Sequence, residues 1–215
     1  MKRLFFCGLI SLMTVQISSQ AAVTLVSNIA NPMSEEDMFY QGSSLYQSFQ
    51  TGSADATIQG IQLNFGYVGN ASGVGVSIYS DVSGKAGAQL ASFTPNGPPG
   101  MMAYQSFGFS GSLNVNANTN YWVVLSATGG TDMDGNTPWG SMNYVAITGD
   151  GSQTGLPGWT LGNSHYFDFG SPSSPVEYAG NPIQVAISGS AVPEPSSISL
   201  LSLGLVSLAL RRRRS

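Results

Sequence analysis

The stretch of the sequence with the clearest potential for chemistry is residues 132–136, Asp-Met-Asp-Gly-Asn. Oxygen ligands at alternate positions of a glycine-containing turn suit Ca²⁺, a hard cation. The stretch is not an EF-hand loop, because its glycine comes two positions early and Asn143 stands where the closing glutamate is needed. Asp132, Asp134 and Asn136 are therefore predicted as candidate calcium ligands, with an ordinary Asx-rich turn as the alternative.

Three tryptophans could provide flat surfaces for binding sugars. Trp122 lies inside the apolar run 121–125 and is predicted to be a core residue. Trp139 and Trp159 lie near loop-like stretches, where an exposed ring could stack on the apolar face of a sugar. These two residues are the candidate carbohydrate contacts, and ordinary packing in the core or at its rim is the alternative.

Catalytic residues are not predicted. His165 is the single histidine, and although Ser164 and Asp168 are near it, neighbours along one strand do not form a catalytic triad. A zinc site would need several His or Cys ligands. A pair of carboxylates could still hydrolyse a glycoside, so a carboxylate-dependent glycosidase is kept as an alternative. Its candidate acids lie in loop-like stretches: Glu35, Glu36, Asp37, Asp132, Asp134, Asp168 and Glu177.

The distribution of charge excludes several kinds of partner. Six of the seven basic residues lie at the two ends of the chain, and residues 22 to 192 hold ten acidic side chains against one base, Lys85, a formal charge of −9. Such a domain cannot neutralise a row of phosphates, so nucleic acid is excluded as a partner. Its polarity comes mainly from Asn, Ser, Thr, Gly and Gln, which suits contact with an extracellular polymer.

The N-terminal segment, residues 1–21, has the pattern of a signal peptide. Lys2 and Arg3 precede an apolar stretch, residues 4–15, and small residues follow it. We expect signal peptidase to cut after Ala21, with an uncleaved membrane anchor as the alternative. The only cysteine, Cys7, lies in this segment, so the mature protein is predicted to have no disulfide.

The C-terminal segment, residues 191–215, combines three features in a fixed order. Val192, Pro193, Glu194 and Pro195 come first, and an uncharged apolar stretch, residues 196–210, follows. As a helix this stretch would reach about 22 Å, short of the roughly 30 Å hydrocarbon layer. The terminal basic cluster would stay in the cytoplasm and leave the domain outside. This cluster consists of Arg211, Arg212, Arg213 and Arg214.

This order of parts resembles the PEP-CTERM sorting signal. The resemblance implies recognition of residues 192–195 by an exosortase, cleavage there after transient anchoring in the inner membrane, and release to the cell surface or the extracellular polysaccharide matrix. In that reading, the motif residues are those of a substrate and have no catalytic role. A plain C-terminal membrane anchor is the alternative.

Residues 22–190 have the pattern of an all-β domain. Apolar and polar residues alternate over 61–67, 74–78 and 113–117, and turns rich in Gly, Asn and Ser separate these runs. About eight to ten short strands fit an antiparallel β-sandwich of jelly-roll type, with an up-and-down barrel as the weaker choice.

The order of features over residues 28–190 resembles the choice-of-anchor R domain. The resemblance rests on short stretches: 45–52, 58–63, 76–81, 84–87, 118–125 and 183–189. Ala86 departs from the proline expected after the Gly-Lys turn. The family has no assigned activity, so the resemblance implies a bacterial surface domain and no reaction.

Together these features predict a non-enzymatic exported surface or matrix protein of a Gram-negative-type envelope, in contact with exopolysaccharide. A carbohydrate-binding module and a carboxylate-dependent glycosidase are the two alternatives. No cofactor is predicted apart from the candidate calcium ion.

Overall fold

The computed structural model describes residues 21–40, 42–68, 74–96, 105–127, 143–168 and 175–191. The candidate calcium ligands Asp132, Asp134 and Asn136, Trp139, residues 1–20 and the C-terminal segment from Val192 onward lie outside the described residues. Within the described ranges, no helix is long and apolar enough to cross a bilayer.

The described residues form thirteen strands. In chain order these are β1 (Val23–Ser27), β2 (Glu35–Phe39), β3 (Ser44–Gln50), β4 (Ala56–Val68), β5 (Val74–Asp81), β6 (Ala86–Pro95), β7 (Gln105–Val115), β8 (Asn120–Ala127), β9 (Asn143–Ile147), β10 (Thr154–Gly155), β11 (Thr160–Asp168), β12 (Val176–Ala179) and β13 (Val185–Ala191).

The alternation in the sequence matches the burial of the strands. In β5, Val74, Val76 and Ile78 are buried while the residues between them are partly exposed. Such a strand has one face on the core and one toward solvent. In β8, all residues from Tyr121 to Leu125 are buried, so the apolar run at 121–125 is a strand covered on both faces.

Eight of the strands pair in the nested pattern of a jelly roll. The first pairs with the last (β1 with β13), β3 with β8, β4 with β7, and β5 with β6, all antiparallel. The strand order gives sheet 1, β1-β13-β4-β7, and sheet 2, β3-β8-β5-β6. A short pairing of β6 with β7 at Thr94 and Pro95 joins the two into one curled sheet. The prediction of an all-β, antiparallel jelly-roll fold is confirmed.

The remaining five strands extend the two sheets. β11 and β12 continue sheet 2 beyond β3, and β10 continues sheet 1 beyond β1. β9 pairs with the last residues of β4, and β2 pairs with β9. β11 brings further polar and aromatic side chains alongside β3, and this strand carries much of the candidate site described below.

The inward-facing side chains of both sheets form one hydrophobic core. Phe49 from sheet 2 lies in the same cluster as Ile61 and Phe109 from sheet 1. Four phenylalanines pack edge-on or tilted at one end of the core: Phe39, Phe65, Phe107 and Phe109. Burying a side chain of this size contributes about 1.5–3 kcal/mol, so the core is the main source of stability.

The last strand, β13, lies between β1 and β4 at the centre of sheet 1. Its register with β4 shifts between Ser188 and Gly189, where the backbones come close together. A Cβ atom at Gly189 would lie 2.0 Å from the carbonyl oxygen of Thr57. Because that oxygen belongs to the backbone of a central strand, it cannot move aside easily.

Replacing Gly189 with alanine should therefore lower the free energy of unfolding by about 1–3 kcal/mol through overpacking. Urea unfolding followed by tryptophan fluorescence measures the change. Gly149→Ala is the matched control, because its new Cβ would make only ordinary contact, 3.8 Å from Ser34, and its effect should stay within about 0.5 kcal/mol. Equal unfolding midpoints for the two variants would contradict this account of β13.

Candidate functional site: an outer-face groove and a buried histidine

Trp122 lies on the outer face of sheet 2. Its register partner on β3 is Ser48, whereas the neighbouring Phe49, which is in the core, pairs with Tyr121. Partners opposite each other on adjacent strands share a face, so Trp122 points away from the core. The side chain is only 4% exposed, so it is buried as predicted but outside the hydrophobic core cluster.

The Trp122 ring is fixed by contacts on two sides. Its Nε1 donates a hydrogen bond of 2.7 Å to Oδ1 of Asp81, at the end of β5. The Tyr166 ring of β11 meets it edge-on, with centroids 5.4 Å apart and ring planes at 73°. A hydrogen-bonded, edge-packed indole of this kind has little freedom to rotate.

Asp81 is itself held by the hairpin that joins β5 to β6. Its Oδ2 accepts a hydrogen bond of 3.1 Å from the backbone N–H of Gly84. Val82 and Lys85 exchange backbone hydrogen bonds across the turn, and Ser83 and Gly84 both have positive φ, 54° and 78°. Two consecutive residues with positive φ define the type I′ turn that matches the twist of a hairpin. The turn therefore places the carboxylate that orients Trp122.

These side chains form part of a surface groove of about 290 Å³. Trp122 and Tyr166 line it together with Phe49, whose side chain belongs to the core, and Asp81 is the one carboxylate among the lining residues. No lysine, arginine or histidine is among the lining residues. The rest are Ser48, Gln50, Gly84, Asn120, Thr160, Leu161 and Gly162.

Two tyrosines of this face, Tyr166 and Tyr46, stay protonated over a wide pH range. Burial raises the pKa of Tyr166, and the charge and hydrogen bond of Glu177, its register partner on β12, raise it further. Burial also raises the pKa of the adjacent Tyr46; the side chain of Ser44 lowers it, and Asp168 raises it through its charge and a hydrogen bond. The Tyr46 Oη donates to Asp168 Oδ2 at 3.4 Å. Both phenols therefore act as neutral hydrogen-bond donors and acceptors.

A second hollow, of about 260 Å³, lies beside the loop between β9 and β10. The Asn31 side chain shapes this loop by donating to the carbonyl oxygens of Asp150 and Ser152 at 2.9 and 2.8 Å. Asp150 is the only charged residue lining it, and no tryptophan, tyrosine or phenylalanine lines it. In the described part of the chain, no group of three or more His, Cys, Asp or Glu side chains could hold a metal ion. The calcium prediction at Asp132, Asp134 and Asn136 lies outside that part and stays a prediction.

His165 points into the domain and is 1% exposed. Its Nε2 lies 2.7 Å from Oδ2 of Asp37, and its Nδ1 is bonded to the backbone carbonyl oxygen of Asn181. A carbonyl can only accept, so Nδ1 is the donor in that hydrogen bond. The Tyr178 ring stacks on the imidazole at 4.9 Å and 3°. His165 thus ties β2, β11 and the segment before β13 together.

The structure does not bring His165 together with Ser164 and Asp168, the two nearby residues that a catalytic triad would require. Consecutive residues of a strand point to opposite faces, and Ser164 precedes His165 directly. Asp168 is bonded to Tyr46 on β3. The partner that sequence reasoning missed is Asp37, because it lies 128 residues away along the chain.

Gln47 makes a second polar connection through the interior and is fully buried. Its Nε2 donates to the carbonyl oxygen of Gly162 at 2.8 Å, and its Oε1 accepts from the backbone N–H of Ile183 at 2.9 Å. Asn28 binds the same segment from the other sheet, since its Nδ2 donates to the Ile183 carbonyl and its Oδ1 accepts from Val185 N–H. Residues 181–185 are thereby held by amides from both sheets.

Trp159, one of the two candidate sugar contacts, is 6% exposed. Its ring stacks on Phe49 within the core, with centroids 6.3 Å apart and planes at 7°. A sugar contact by Trp159 would require this ring to be uncovered. Trp139 lies outside the described residues, so its predicted role stays a prediction.

The described candidate acids of the glycosidase alternative lie in different places, and their predicted placement in loops is wrong, because all five lie on strands. Glu35 and Glu36 are exposed on β2, and Asp37 is paired with His165. Asp168 contacts Tyr46, and Glu177 contacts Tyr166. None of these acids is among the residues that line the groove, and Asp81, which does line it, was not among the candidates.

His165→Phe should lower the free energy of unfolding by about 2–3 kcal/mol, because it leaves the Asn181 carbonyl and Asp37 without their partner. The phenyl ring keeps the stack on Tyr178, so the variant isolates the two hydrogen bonds. Chemical denaturation measures the loss. Tyr178→Phe is the control and should stay within about 0.5 kcal/mol; a stable His165→Phe protein would show that the pair adds nothing.

Tyr166→Phe should become more stable relative to the wild type as the pH rises past about 10, the ordinary pKa of tyrosine. The folded-state pKa of Tyr166 is raised, so its contribution to stability is complete below the unfolded-state pKa and is lost as the pH rises through the folded-state value. Unfolding midpoints measured across this range test the sign. If the wild type became more stable relative to Tyr166→Phe at alkaline pH, this expected direction would be wrong.

Comparison with known proteins adds one finding at the end of the chain. No curated protein is significantly similar to it. Residues 191–214 match the family model described as the PEP-CTERM protein-sorting motif, which confirms the resemblance of this segment. The match does not extend to residues 28–190, so their likeness to the choice-of-anchor R domain stays a prediction. The motif implies an exported protein that an exosortase sorts by way of the membrane to the cell surface.

Proposed function

We propose that this chain is a non-enzymatic surface protein whose jelly-roll domain is delivered by exosortase processing and contacts exopolysaccharide in the extracellular matrix. Signal peptidase removes residues 1–21, and the exosortase acts at Val192, Pro193, Glu194 and Pro195. The domain is held transiently at the inner membrane by residues 196–214 before its release.

One observation carries this proposal: every described strand lies before Val192, the first residue of the proposed recognition site. β13 ends at Ala191, and the matched motif starts at residue 191. A cut within β13 would remove a central strand of sheet 1 and expose the core. A cut at residue 192 or beyond leaves every described strand in place. The fold is therefore compatible with cleavage at the motif and with release of an intact domain.

The placement of the acids supports a non-enzymatic role. Glycoside hydrolysis needs two carboxyl groups flanking the scissile bond. The groove on sheet 2 has one carboxylate among its lining residues, and both oxygens of that carboxylate already accept hydrogen bonds from Trp122 and Gly84. Asp37 is likewise engaged, by His165.

The charge of the domain supports contact with a polymer that carries few negative charges. Residues 22 to 192 have a formal charge of −9 and one base. Anionic lipid surfaces and nucleic acids would be repelled. An uncharged, hydroxyl-rich polysaccharide meets no such repulsion and can pair with the amide and hydroxyl side chains of the surface.

The test is the intact mass of the protein in each cell fraction of a host that has an exosortase. The wild type should be recovered outside the inner membrane with a mass that lacks both ends. Glu194→Ala should remain in the membrane with Arg211, Arg212, Arg213 and Arg214 still attached. Ser196→Ala, just beyond the motif, is the matched control and should be processed like the wild type.

Two results would overturn the proposed processing. Wild-type protein that keeps its four terminal arginines in the membrane would identify a permanent tail anchor. If Glu194→Ala is processed as fast as the wild type, the exosortase does not recognise the motif. A mass above that of the trimmed chain would reveal a group attached to the new C-terminus, and this result would support processing.

A further inference from the structure

We propose that the groove on the outer face of sheet 2 binds one ring of a neutral polysaccharide. The groove is lined by residues of β3, β8 and β11 and by the β5–β6 turn. This inference deepens the proposed function, on which it rests for the location of the polymer, by giving the contact a site and a ligand class. In this inference the aromatic contacts are Tyr166 and Trp122, and not Trp139 and Trp159.

The aromatic pair provides a rigid apolar surface. Tyr166 is half-buried, whereas Trp122, which it meets edge-on, is 4% exposed. The carbon-bound hydrogens on one face of a pyranose pack well against such a ring. Asp81 and the edge-on contact fix both rings before any ligand arrives, so binding costs little side-chain entropy.

A row of polar side chains lies next to the aromatic pair. Gln50 is the register partner of Asn120 on one side and of Thr160 on the other. Gln50 and Asn120 are exposed and line the groove. Their amides provide both donors and acceptors, as the hydroxyl groups of a sugar require. An aromatic surface with a row of amides at its edge is the chemistry that recognises a sugar ring.

The electrostatics select a neutral ligand. No cationic side chain lines the groove, and the domain is strongly acidic. A uronate or sulfate group would enter a site with a carboxylate and no counter-charge, which is unfavourable. The phenol of Tyr166 is kept neutral, and its oxygen can accept a hydrogen bond from a sugar hydroxyl while its proton faces Glu177. A neutral sugar ring satisfies all of these groups.

The size of the groove limits how much of the polymer is held. Its volume of about 290 Å³ is at the small end of the range for ligand pockets, roughly 300–1,000 Å³. One ring fills it, and the neighbouring rings of a chain extend along the surface. A single ring gives weak binding, and many copies of the domain along one polymer would strengthen it through avidity.

The experiment titrates the processed protein, recovered from the host, with neutral oligosaccharides and with oligosaccharides that contain uronic acid. Calorimetry measures affinity, and the combined emission of the three tryptophans, of which Trp122 lines the groove, gives a second readout. At least one neutral series should bind and change the emission. Tyr166→Leu should weaken that binding by about tenfold, the loss expected for one aromatic contact. Tyr166→Phe keeps the ring and should retain most of the affinity.

Gln50→Ala and Asn120→Ala should each weaken binding, whereas Gln89→Ala is the matched control, because Gln89 is an exposed amide on β6 that does not line the groove. Thermal unfolding of every variant separates lost binding from lost folding. Absence of binding by the neutral sugars, full affinity in Tyr166→Leu, or preference for uronates would each overturn the inference. If the groove binds no sugar in a protein that is correctly trimmed and released, the inference about the groove is wrong and the sorting proposal still stands.

Discussion

The pairing of the first strand with the last is the constraint on which the rest of the structure depends. β13 fills the gap between β1 and β4, and without it sheet 1 would split and expose the core from that side. Gly189 allows the close approach of β13 to β4, and amides from both sheets, Gln47 and Asn28, bind the segment that leads into the strand. The polar interior therefore serves the same purpose as the hydrophobic core, because both hold β13 in place.

The position of the groove depends indirectly on how these strands are packed. β11 lies beside β3 and carries His165 on its inner face, paired with Asp37, and Tyr166 next to it on the outer face. The buried pair fixes the rotation of the strand, and that rotation sets the position of the tyrosine ring against Trp122. A buried polar pair thus positions the tyrosine that is proposed to contact the sugar.

Much of the fold could be predicted from the sequence, because a half-buried strand shows its buried face as an alternation of apolar and polar residues. The candidate site could not be predicted in the same way. Residues 121–125 are apolar without interruption, so they give no indication that Trp122 faces outward while Tyr121 faces the core. Trp159 looked like a loop residue, but it stacks on Phe49, a contact between residues far apart in the sequence. The partnership of His165 with Asp37 also requires the topology.

The nested order of the strands has a consequence for the timing of folding. Because β1 can only be completed by β13, sheet 1 cannot close until residue 191 has emerged, and contacts between the two ends of a chain form slowly. A chain that must cross a membrane in an extended state gains from such a delay. Sheet 1 can close only where both β1 and β13 are present, so closure requires the whole domain on one side of the membrane. The strand that completes the sheet, β13, is therefore also the one that leads directly into the sorting motif.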